Sequence, residues 1–251
     1  MEFAAPKAGT AFTPVLRSEW IKIRTLRSLV GALGAVLLAT TAFSALAGLD
    51  SDGDGADFDP LFSAFFGVNF GQIAAIAFGT TAVASEFHGG GLRATLAAVP
   101  HRGRWFAAKA TAIAAPVLVV GLVTGGLSLA VGRAVLGAEA DGLTWREGLR
   151  GVVGCAVYFM LMALLAAGVT ALLRSGVATL GILIPFLLIV SFVVGDMSGS
   201  VADFLPDKAG QVIFHATWDG SLGPWSGLAV TALWAAAALL AGAWSVRRRD
   251  A

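Results

Sequence analysis

Charge is what this sequence has least of. Only 13% of its 251 residues are Asp, Glu, Lys or Arg, about half the roughly 25% of an average soluble domain. Such a chain cannot coat a water-facing surface, and with 57% apolar residues and a mean hydropathy of +0.81 its solvent is largely lipid. Cysteine is nearly absent. Cys155 stands alone in an apolar run, which excludes an intrachain disulfide. The three histidines, His88, His101 and His215, fall in expected loops, and neither G-x-S-x-G nor H-E-x-x-H occurs. An intramembrane enzyme is therefore disfavoured. "GGGLRATL" is Gly-rich but lacks the Lys-Ser/Thr of a phosphate-binding loop. No Asp, Glu or Lys lies deep in an expected span, where a charge costs about 2.5–3.5 kcal/mol and usually marks an ion pathway. A proton- or sodium-coupled carrier is thus disfavoured, and any energy source is external to the chain.

Six apolar stretches are present, each near the roughly 20 residues that a spanning helix needs. They run over 29–49, 61–84, 110–136, 148–173, 177–195 and 226–245. The expected fold is a single all-α membrane domain over 1–251. The first stretch is expected to be retained rather than cleaved, although Ala45 and Ala47 form a small-residue pair near its end, because it is longer than a signal core. Gly67/Gly71 and Gly121/Gly125 have the four-residue spacing that lets helix backbones approach. Pro116 and Pro185 fall inside spans. With both termini in the cytoplasm, only Arg133, Arg146, Arg150 and Lys208 of the 17 basic residues lie outside, which fixes that orientation by the positive-inside bias.

Two segments on the cytoplasmic side carry patterns. Residues 13–28 read as an amphipathic helix in the membrane interface, with Thr13 as cap and Pro14 in the first turn. Leu16, Trp20, Ile23, Leu26 and Val30 recur at helical spacing, while Arg17, Lys22, Arg24 and Arg27 are the cations that anionic headgroups attract. Residues 85–109 link spans two and three. There Leu92, Leu96 and Val99 mark a short amphipathic helix carrying Arg93, and Glu86 stands where span two meets the cytoplasm. Asn69 and Gln72 in span two read either as a cavity or subunit-interface lining or as interhelical hydrogen-bonding groups. Trp105, Trp145, Trp225 and Trp244 near span ends fit an interfacial belt. In "DSDGDGADFD", Asp50, Asp52 and Asp54 have the spacing of a weak calcium loop, but Leu61 replaces its bidentate Glu. A flexible acidic loop is the plainer reading, and no other metal site is expected.

"SEWIKIRTLRS", "SEFHGGGLRATLAAVPHRGRWFAAK" and "LPDKAGQ" resemble the permease subunits of ABC transporters, and more narrowly the ABC type-2 membrane-protein family of bacterial exporters. The resemblance implies a permease with no ATPase of its own, working in a bacterial-type plasma membrane. Two protomers, as a homo- or heterodimer, would pair with cytoplasmic ATP-binding subunits. ATP and magnesium would be bound by those partners, no cofactor by this chain, and no nucleic acid is involved. It further implies that Glu86, Phe87, Arg93, Leu96 and Arg102 belong to a segment coupling to the ATPase, with Glu86 facing it. Leu205, Pro206 and Gly210 would belong to a re-entrant or extracellular portion before the last span. His88-Gly89-Gly90-Gly91 departs from the family pattern, where a basic or polar residue and a Thr are commoner. The competing reading is a non-transporting anchor that recruits a cytoplasmic partner through the same loops.

Overall fold

A computed structural model describes residues 12–49, 58–87, 91, 101–190, 199–218 and 220–248. Among them there is no strand. The α-helices are α1 (Phe12–Thr25), α2 (Arg27–Leu49), α3 (Pro60–Phe65), α4 (Val68–Phe87), α5 (Arg102–Leu136), α6 (Trp145–Leu173), α7 (Gly176–Pro185), α8 (Pro206–Gln211) and α9 (Pro224–Arg248). Five units are long and apolar enough to cross a membrane: α2, α3 with α4, α5, α6 and α9. The protein is a multi-pass helical membrane protein.

Helix α6 is the axis of the bundle. Its most apolar stretch is 67% buried, against 22% for α2 and 28% for α9, so the outer helices leave residues such as Leu38, Leu46, Leu233 and Leu240 exposed to lipid. Small residues bring the backbones together. A Cβ on Gly79 would overlap the Ala163 carbonyl, one on Gly121 would press on Ala156, and one on Gly168 would meet Ala238. The paired glycines legible in the sequence have this role: Gly67 and Gly71 pack on Thr40 of α2, and Gly121 and Gly125 pack on Ala156 and Val152 of α6.

Several expected boundaries move. The interfacial helix ends at Thr25, not Ser28, and Arg27 opens α2. Thr13 lies within α1 and is not its cap. Span two is broken at Phe66 and Gly67, where the Gly67 N–H leaves its helix to donate to Ser44 Oγ at 3.0 Å. Helix α5 begins eight residues before the expected span, so Lys109 is helical. The segment expected to span 177–195 is α-helical over Gly176–Pro185 and continues as π-helical turns over Phe186–Val190; the rest of it lies outside the described residues. Trp105 is fully buried rather than part of an interfacial belt, whereas Trp145, Trp225 and Trp244 are exposed.

At the end of the bundle away from α1, α8 and the 3-10 turn Val212–Phe214 fold back into it. Gly210 abuts the Tyr158 ring, Ile213 fills the space beside Gly154, and Thr231 Oγ1 donates to the Pro206 carbonyl at 2.8 Å. Asp59 anchors this arrangement. It caps α3 through the Leu61 and Phe62 N–H groups, both at 3.0 Å, and accepts from the Ala216 N–H at 2.9 Å. Burial pushes its carboxyl up, but His215 and those N–H groups pull harder, so its pKa lies below the usual aspartate value. A depressed carboxylate contributes stability above the unfolded value of about 3.9 and loses it as pH falls through the folded one. Asp59→Asn should therefore lower the thermal midpoint at neutral pH, and the gap to wild type should close below about pH 4. A gap that persists in acid would show that the carboxylate charge is not what anchors the segment.

Candidate functional site

Three of the buried charged groups, Glu19, Glu86 and Lys109, meet at the α1 end, while Asp207 is buried in α8 at the other end. In α1 the buried stripe is Val15, Glu19 and Ile23, at i, i+4 and i+8, so a carboxylate takes an apolar register position and faces the bundle. Trp20 lies outside that stripe and is exposed. Glu86 reaches the same place from the end of α4, and Lys109 from two turns inside α5. Glu19, Glu86 and Lys109 are 1%, 5% and 3% exposed, a degree of burial that ions tolerate only when paired.

The pairing is complete in charge. Lys22 Nζ donates to Glu19 Oε1 at 3.0 Å and to Glu86 Oε1 at 2.8 Å. Lys109 Nζ donates to Glu86 Oε1 at 2.7 Å and touches Glu19 Oε2. Two ammonium groups and two carboxylates thus alternate around a net-neutral ring. Burial opposes the charge on Lys22, but the hydrogen bond to Glu86 and the attraction of Glu19 outweigh it and hold its pKa above the usual lysine value. Beside the ring lies a cleft of about 360 Å³, lined by Ile23, Leu26, Ser85 and Gly91 as well as Lys22, Glu86 and Lys109.

Three of the five residues expected to couple are described, and each ties down a different element. Glu86 is turned into the bundle and does not face outward as expected. The Phe87 ring lies 5.8 Å beneath the Arg174 guanidinium, at the left-handed turn (φ 55°) that ends α6. Arg102 Nη1 donates to the Val246 carbonyl at 2.8 Å, fastening the start of α5 to the end of α9. Arg93, Leu96 and the short helix expected around them lie outside the described residues, as do Asp50, Asp52 and Asp54. Of the cations assigned to headgroups, Lys22 is committed to the ring, while Arg24 and Arg27 are exposed. Sequence reasoning missed Glu19 and Lys109. The signal for Glu19 was its place in the Val15–Ile23 register.

Gln72 is a bundle-holding group. The Tyr158 hydroxyl donates to its Oε1 at 2.5 Å and accepts from Gln211 Nε2 at 3.3 Å, joining α4, α6 and α8. Asn69 Nδ2 instead donates within its own segment, to the Phe66 carbonyl at 3.0 Å. Tyr158→Phe removes both links and should cost about 0.6–1.7 kcal/mol, the range of interhelical hydrogen bonds in membranes. Thermal unfolding in detergent reads this loss; an unchanged midpoint would mean that the links contribute nothing net.

The arrangement offers fixed charge and mechanical connection. Among the described residues no group of His, Cys, Asp or Glu is placed to hold a metal ion, and the buried carboxylates of Glu19 and Glu86 face ammonium groups. No protein-family model and no curated protein matches the chain.

Proposed function

We propose that this chain is the membrane permease subunit of an ATP-driven transporter of the ABC type-2 class, working as an exporter with a separate cytoplasmic ATP-binding subunit and a second permease protomer. In this reading both termini are cytoplasmic, and a sixth crossing runs through Gly176–Val190 and the residues that follow. The observation that supports it is the position of the charged ring. The 88–101 segment leaves α4 immediately after Glu86–Phe87 and enters α5 at Arg102, seven residues before Lys109. Both of its roots are therefore bolted to α1 through Glu19 and Lys22, and Arg102 adds α9. A push on that segment by a soluble partner would move four helices together, as an externally energised permease requires.

The test is to tag the C-terminus, solubilise the native complex gently, and assay what co-purifies. A partner of ATPase size with vanadate-sensitive hydrolysis is the expected result. Because Glu86 is buried in the ring, Arg93 is the cleaner probe of coupling. Arg93→Glu should leave insertion and thermal stability unchanged while uncoupling hydrolysis from transport. A lone chain recovered reproducibly from several mild detergents, with its native neighbours expressed, would overturn the proposal in favour of a membrane anchor.

A further inference from the structure

At the end opposite the charged ring, one face of α6 presents Arg146, Leu149, Arg150 and Val153, at i, i+3, i+4 and i+7. With Trp145 and with Trp225 of α9 they line a groove of about 500 Å³. A helix of 29 residues is about 43 Å long and exceeds the roughly 30 Å hydrocarbon core, so the first turn of α6 sits among headgroups. Leu149 and Val153 then point the groove toward the acyl region. Trp145 and Trp225 are 68% and 58% exposed, as amphipathic rings at a membrane interface are.

The polar lining is cationic. Arg146 is exposed, its guanidinium 5.9 Å from the Trp145 ring centre. Arg150 is fixed one turn deeper. Its Nη2 donates to the His215 carbonyl at 2.5 Å and its guanidinium lies 5.6 Å from the Trp218 ring centre, so it contributes field rather than a movable contact. Glu147 is the one carboxylate in the lining, and it is engaged in its capping box, accepting from the Thr144 N–H at 2.9 Å and the Thr144 hydroxyl at 2.7 Å. An apolar wall beneath a doubly cationic rim complements one kind of occupant.

We infer that this groove binds an anionic phospholipid, with Arg146 at the phosphate and an acyl chain along Leu149, Val153 and Trp225. The site does not depend on the permease reading; an anchor with this fold would carry it equally.

The experiment reconstitutes the full chain in phosphatidylcholine vesicles containing a minority of brominated lipid, either phosphatidylglycerol or phosphatidylcholine, and follows tryptophan quenching. The signal of Trp225 is isolated by subtraction of Trp225→Phe. Wild-type protein should favour the anionic lipid about fivefold, which is the conversion of about 1 kcal/mol for one arginine near a charged surface. Arg146→Gln, at an exposed position that leaves Arg150 and the capping box in place, should remove most of the preference while circular dichroism stays helical. If Trp225→Phe fails to insert, total tryptophan quenching of wild type against Arg146→Gln gives the same comparison. Equal quenching by the two lipids in wild type, or a preference undiminished in Arg146→Gln, would overturn the proposal.

Discussion

Lys109→Met should destabilise the protein by about 3–5 kcal/mol, the cost of leaving an uncompensated charge after one partner of a buried pair is removed. Without Lys109, Glu19 and Glu86 face each other across the ring with only the half-exposed Lys22 between them. Methionine has similar length and reach, so the loss reports charge rather than volume. Adding Glu86→Leu should recover most of the stability, because equal numbers of positive and negative charges then leave the interior and Glu19–Lys22 remains an intact pair. Replacing a buried ion pair by apolar side chains is often neutral or stabilising. Thermal midpoints of the two single variants and the double variant in one detergent complete the cycle. If both single variants fall within about 1 kcal/mol of wild type, as an exposed salt bridge would allow, the ring is solvated and its role as a bolt between helices fails.

The second large effect is steric and changes sign with position. Gly79→Ala should destabilise by about 1–3 kcal/mol or more, the usual cost of overpacking. The added methyl meets the Ala163 carbonyl, and a backbone cannot swing aside as a side chain can. Gly168→Ala, against Ala238, should behave the same way. Gly126→Ala meets nothing within 4 Å and should be neutral or gain up to about 0.5–1 kcal/mol from helix propensity. Fluorescence-detected size-exclusion after heating ranks the three. Equal behaviour at positions 79 and 126 would mean that α4 and α6 are not in backbone contact.

The helical membrane class and five helices long and apolar enough to cross a bilayer could be read from the sequence by itself, because runs of apolar residues near 20 long have no stable alternative in lipid. It also showed the small-residue seams: Gly67/Gly71 and Gly121/Gly125 do lie at helix contacts, since close approach demands a missing side chain wherever it occurs. The residues around the 88–101 segment were marked as well, but not the buried contacts that Glu86 and Lys109 make with α1. Glu86 was legible only as the residue where span two meets the cytoplasm, and Lys109 only as the last residue of the 85–109 link, because neither has a local pattern that shows its distant partner.

Only the tertiary structure decided that Glu19, Lys22, Glu86 and Lys109 form one neutral ring. Their separations in the chain run from three residues to 90, and no local pattern encodes which distant ions share a buried site. The same holds for Tyr158, which bridges Gln72 and Gln211 across three elements. Apolar runs are dictated residue by residue by the solvent. Pairings between polar groups are dictated by which helices pack together, and that choice exists only once the bundle has formed.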